Sequence, residues 1–98
     1  MFNIFELTQN DAKTLQERAL KLAEEAGEVA QAVLSATGAP GSTYKGQGLA
    51  EVREEAVDAA IVALSILAQA SETREAFEAE LTRLMAVKCE KWQGKLSI

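Results

Sequence analysis

The sequence predicts an all-α fold, a helical bundle of three to four helices completed by oligomerisation. Three observations predict it. Apolar residues recur three and four apart along most of the chain, the spacing of one helix face. Four of the six glycines and the only proline fall in one stretch, residues 37–48. No segment alternates polar and apolar residues as a half-buried strand does.

The elements follow in order. Residues 1–7 read as a lead-in. Thr8, followed three residues later by Asp11, has the spacing of a helix N-cap. Leu15, Ala19, Leu22, Ala26, Val29 and Val33 then mark one apolar stripe, which predicts a long first helix from Thr8 to Ala36. Gly27 is a place for this helix to bend or for another backbone to come close. Residues 37–48 are a loop, long enough to be mobile or to close over a ligand. A second helix is expected over Leu49–Ala70. Its second half is apolar nearly all round, as in a helix buried on every side. Ser71 can cap a third helix reaching Trp92, with Phe77, Leu81 and Leu84 inward.

Ninety-eight residues form a single domain, 1–98. A domain this small buries only about 60–70% of its unfolded surface, so a second copy covering an apolar face is expected. The net charge is −5 with no basic run, which speaks against a nucleic-acid polymer as partner. Residues 1–6 lack the basic start and apolar core of a secretory signal, and Ala56–Ala70 is too short to span a membrane. Cys89 is the only cysteine, so no intrachain disulfide can form; a reducing, cytoplasmic setting is expected. The chain contains no histidine. Histidine bases, Ser-His and Cys-His nucleophiles and Glu-x-x-His metal ligands are thereby excluded. Any metal site must use oxygen ligands, which suits Mg²⁺, Mn²⁺ or Ca²⁺.

Two acidic clusters supply such ligands: Glu24-Glu25-Ala26-Gly27-Glu28 and Glu54-Glu55-Ala56-Val57-Asp58. Glu25 and Glu28, like Glu55 and Asp58, stand three apart and share a helix face, where like charges repel. On a helical wheel Glu25 lies about 60° from Leu22 and Glu28 about 60° further, so both flank the apolar stripe. Asp58 interrupts an apolar run; in a helix buried all round its charge needs a partner. A basic side chain could satisfy Asp58; a cation shared by Glu25, Glu28, Glu55 and Asp58 would do so as well and would also relieve the repulsion. Glu17, Glu51, Glu54, Glu72, Glu75, Glu78 and Glu80 read as solvated helix faces.

The segment Lys21-Leu22-Ala23-Glu24-Glu25-Ala26-Gly27-Glu28-Val29, then a loop, then Glu55-Ala56-Val57-Asp58, resembles the EExxE…ExxD signature of the MazG-like all-α nucleoside triphosphate pyrophosphohydrolases. The resemblance covers about residues 15–70 and, loosely, the last helix. It implies Mg²⁺, with Mn²⁺ as a possible substitute, held at Glu25, Glu28, Glu55 and Asp58. Glu24 and Glu25 would be the catalytic glutamates, Glu24 supporting a ligand or an activated water. The implied reaction converts a (deoxy)nucleoside triphosphate to monophosphate and pyrophosphate, a house-cleaning of the nucleotide pool. A homodimer or homotetramer is also implied. The chain shows no clear match to the base-recognition residues of any one subgroup.

Positive charge for phosphates is expected on the last helix, where the stripe of Phe77, Leu81 and Leu84 continues into Lys88, Lys91 and Lys95. These lysines could instead favour the helix C-terminus or snorkel. Trp92 and Tyr44 are candidates to stack on a base. Lys21 is expected to pair with Glu24 or Glu25. Phosphoribosyl-ATP pyrophosphohydrolysis and a non-catalytic, cation-binding helical module remain alternative readings.

Overall fold

The computed structural model describes residues 3–97, and every regular element among them is helical. The order is α1 (Ile4–Gln9), α2 (Leu15–Ala36), a 3₁₀ turn (Thr43–Lys45), α3 (Leu49–Gln69) and α4 (Arg74–Leu96). No helix among the described residues is long and apolar enough to cross a membrane.

The expected first helix is two. Asn3 caps α1 by accepting from the Glu6 amide, where a lead-in was expected; Met1 and Phe2 lie outside the described residues. Asn10 ends α1, and the Asp11 carboxylate accepts from the Lys13 amide, a turn that competes with helix. Thr14 then starts α2 with a reciprocal cap: its hydroxyl accepts from the Glu17 amide, and Glu17 accepts from the Thr14 amide. Thr8 is no cap. It is buried inside α1, and its hydroxyl donates to the Ile4 carbonyl. The last helix begins two residues later than Ser71 would start it, capped by Thr73, and runs past Trp92 to Leu96.

Antiparallel α2 and α3 form the central hairpin. At one end the Gln47 amide donates to the Ser35 hydroxyl, which pins the loop; Gly38, Gly41 and Gly46 make its left-handed turns. At the other end Arg18 donates to Gln69. Short α1 lies over the end of α3 and meets the start of α4. Phe5, Ala68 and Phe77 form the core there, with Ile4, Leu67 and Leu81 against them and the two phenylalanine rings stacked 6.2 Å apart.

The apolar stripe of α2 is only half covered. Arg18, Glu25 and Ala32 are buried against α3, whereas Ala19, Ala26 and Val33 are exposed. The buried face is rotated by roughly 70° from the centre of the stripe. The second helix is likewise not buried all round: Leu49, Ala56, Val57, Ala60, Ile61 and Ala63 are exposed. Nor does a neighbouring backbone approach Gly27, where an added Cβ would meet nothing within 4 Å. The radius of gyration is 16.2 Å, against about 13 Å for a compact domain of this length. Much of the excess comes from α4, whose described residues beyond Leu84 are all exposed.

Candidate metal centre

The α2–α3 hairpin brings together three of the four expected carboxylates. Oxygen atoms of Glu25, Glu28 and Glu55 all lie within 4.8 Å of one another. Glu25 and Glu28 share a face because they stand three apart on α2. Glu55 reaches them from α3 because the antiparallel register sets it level with Glu28.

Glu25 is the most enclosed of the three, with 7% of its surface exposed. Its Oε1 lies 3.2 Å from the Lys21 ammonium, one turn earlier on α2. Its Oε2 is buried with no hydrogen-bond partner, and the same is true of Glu55 Oε2. Shielded carboxylate oxygens without donors are costly. Burial pushes the Glu55 carboxyl above its ordinary value, and the neighbouring carboxylates of Glu28, Asp58 and Glu25 push it the same way. All-oxygen ligands and two unpartnered buried acceptors fit a hard cation such as Mg²⁺, Mn²⁺ or Ca²⁺.

Asp58 stands differently from the expectation. It is exposed, because its side of α3 faces solvent, and it is outside the three-carboxylate group. The argument from costly burial therefore does not apply to it in a single chain. Its charge still acts on Glu55. Glu24 is exposed and lies 3.4 Å from Lys21, so Lys21 pairs with both glutamates as expected.

The other candidates are not gathered in one chain. Lys88, Lys91 and Lys95 are exposed on the outer half of α4, and α4 makes no close approach to α2. Trp92 is 67% exposed on the same arm. Tyr44 is exposed on the 3₁₀ turn, its ring 5.4 Å from the Lys45 ammonium.

Sequence reasoning missed Arg18. Its side chain is 7% exposed, yet it carries a charge. Nε donates to Gln69 at 2.6 Å, and Nη2 donates to the Thr8 and Asp11 carbonyls. The Gln69 amide donates in turn to the Lys13 carbonyl. This network ties the α1–α2 connection to the end of α3. The available signal was its position: Arg18 stands seven residues before Glu25, two turns along the same face.

Arg18 also floors a cleft of about 260 Å³ between α1, α2 and α3. Ile4, Leu7, Ile61 and Val62 supply apolar walls, and Lys21 stands between the cleft and Glu25. Seven residues of helix set the cleft about 10 Å along the hairpin from the carboxylates.

No known protein-family model matches the chain, and no curated protein or solved structure matches it significantly. What fold and site define is an all-α hairpin protein with three glutamates that could hold a metal ion.

Proposed function

We propose that this protein is a Mg²⁺-dependent nucleoside triphosphate pyrophosphohydrolase. One observation carries the reading: one carboxylate oxygen from each of Glu25, Glu28 and Glu55 lies within 4.8 Å of the other two, and two buried carboxylate oxygens of this group are left unpartnered. The MazG-like pattern of the same residues supports it. Glu25, Glu28 and Glu55 would hold the cation, with Asp58 adding charge at the rim. A bound Mg²⁺ would offset phosphate charge and polarise the phosphoryl group.

The chain's own groups have distinct parts in this reading. Lys21 fixes the Glu25 carboxylate through their ion pair and limits its rotation. Glu24, exposed beside it, accepts a proton from the attacking water. The neighbouring cleft gives the nucleoside an apolar place at about one nucleotide's remove from the carboxylates. In-line attack at phosphorus requires positioning and charge stabilisation more than covalent chemistry.

The test is pyrophosphate release across a panel of ribo- and deoxynucleoside triphosphates and phosphoribosyl-ATP, with and without Mg²⁺. Release that depends on Mg²⁺ and yields the monophosphate supports the proposal. A folded, Mg²⁺-loaded protein that turns over nothing on the panel overturns it in favour of a cation-binding module.

The reading includes a homodimer or homotetramer. The uncovered α2 stripe of Ala19, Ala26 and Val33 adjoins exposed small residues of α3, and close helix packing suits such a face. Sedimentation at micromolar concentration should show a dimer or larger species; a stable monomer with full activity counts against it.

A further inference from the structure

Beyond Leu84 the line by which α4 docks on its own chain turns basic at Lys88, Lys91 and Lys95, and a second apolar line runs beside it. Phe77 is buried and Leu81 and Leu84 are half-buried, whereas Met85, Cys89, Trp92 and Leu96 form the second line, rotated by about 80° from the first, with nothing against it. Their spacing of four, three and four is that of a helix seam made to pack on another helix. Lys88, Lys91 and Lys95 lie along one flank of this seam. Among the described residues none of the three forms an ion pair.

A complementary surface lies on α3. Arg53, Glu54, Val57 and Asp58 line a shallow groove of about 340 Å³. Val57, its one apolar lining residue, is 56% exposed. Glu54 and Asp58 stand beside it, and neither has a basic partner among the described residues. The arm thus carries an uncovered Trp and unpaired lysines; the groove carries an uncovered Val and unpaired carboxylates.

We propose that the outer half of α4 docks on α3 of a second copy of this chain, seating Trp92 in the groove over Val57. A straight helix held at Phe77 and Leu81 does not fold its outer half back onto its own α3. Both surfaces belong to one sequence, so a second copy supplies each with its complement. Arm-to-arm antiparallel pairing would set lysine flank against lysine flank, which repels. Docking on α3 sets Lys88, Lys91 and Lys95 against Glu54 and Asp58 of the second copy. It thereby brings cations within a turn of that copy's Glu55. This interface stands independently of the reaction proposed above.

The test uses two tagged forms of the full chain, mixed and treated with a short bismaleimide. One keeps Cys89, which lies in the seam; the other carries Cys89→Ser and Val57→Cys. Both altered positions are exposed, and thermal melts check that each form is folded. The expected product joins the two different chains. Its yield should exceed by about tenfold that from a control with Thr37→Cys in place of Val57→Cys, because docking raises the local concentration. Changing Lys88, Lys91 and Lys95 to Glu should abolish that excess, and adding Glu54→Lys to the other chain should restore part of it. A Cys89–Cys89 product in its place, an intrachain product in a Val57→Cys chain that keeps Cys89, or a yield no greater than the control's overturns the proposal. None of these outcomes depends on nucleotide turnover, so this inference and the functional reading fail separately.

Discussion

Glu55→Gln should reduce Mg²⁺-dependent pyrophosphate release by at least about a hundredfold and at the same time stabilise the metal-free protein. The first effect follows from removing a charge that would bind the cation directly; even outer partners of a metal site cost 10–100-fold. The second follows from the site's strain without a cation. Glu55 Oε2 is buried and unpartnered, and three other carboxylates act on it. A neutral amide of nearly equal size removes that repulsion.

The pH dependence distinguishes this from a simple packing effect. The carboxyl of Glu55 is raised in the fold above its ordinary value of 4.5, so folding favours the protonated form. Below 4.5 the group is protonated folded or unfolded, and the fold bears no penalty. As pH rises from there through the elevated folded value, the unfolded chain gives up its proton more readily, and stability is lost. Asp11, held low chiefly by Lys13, and Glu17, held low by Thr14, act with the opposite sign, so the raw melting curve mixes these effects. The difference between wild type and Glu55→Gln isolates the one group: the variant's advantage should grow with pH across that window and shrink when Mg²⁺ is added. An advantage independent of both pH and Mg²⁺ would remove Glu55 from the proposed centre. Asp58→Asn is the useful contrast. Because Asp58 is exposed, the same change there should weaken Mg²⁺ binding through long-range charge, with little gain in stability.

What the sequence made legible were the features that depend on local spacing. The long hairpin helices, the glycine-rich loop and the i, i+3 carboxylate pairs all follow from periodicity. The end of α2 at Ala36 and the start of α3 at Leu49 fall where they were expected. The break at residues 10–14 was ambiguous because Thr8–Asp11 and Thr14–Glu17 have the same cap spacing. Tertiary packing decides between them: Phe5 must reach Phe77, which requires α1 to turn across the end of α3. The rotation of α2 was also hidden. Its most apolar line is not the line that meets α3 in a single chain, since Arg18 and Glu25 occupy that face. Asp58 misled for the same reason, because an apolar run reads as buried whether or not anything in the same chain covers it.

Arg18→Ala should lower stability by about 2–4 kcal/mol, the largest single loss expected outside the core aromatics. For a chain of this size that corresponds to roughly 10–20 °C in Tm. Two effects compete. Burying a guanidinium costs desolvation, and replacing a buried ionic group by a well-packed apolar one is often harmless. Here the removal is one-sided. The Thr8 and Asp11 carbonyls and the Gln69 side chain lose donors together, and alanine fills none of the space. The unsatisfied acceptors and the void therefore outweigh the recovered desolvation. Arg18→Met separates the two contributions, since it keeps most of the volume and removes only the donors. Arg18→Lys keeps the charge but not the planar fork that reaches Gln69 and Thr8 from one group, so it should recover less than half of the loss. Amide exchange should show where the loss falls: faster in α1 and residues 10–14 than in the middle of α2. An Arg18→Ala protein that melts with the wild type would mean that α1 is held by Phe5 and Phe77 alone. In that case the network from Arg18 through Gln69 to Lys13 would be a consequence of the packing and no part of its cause.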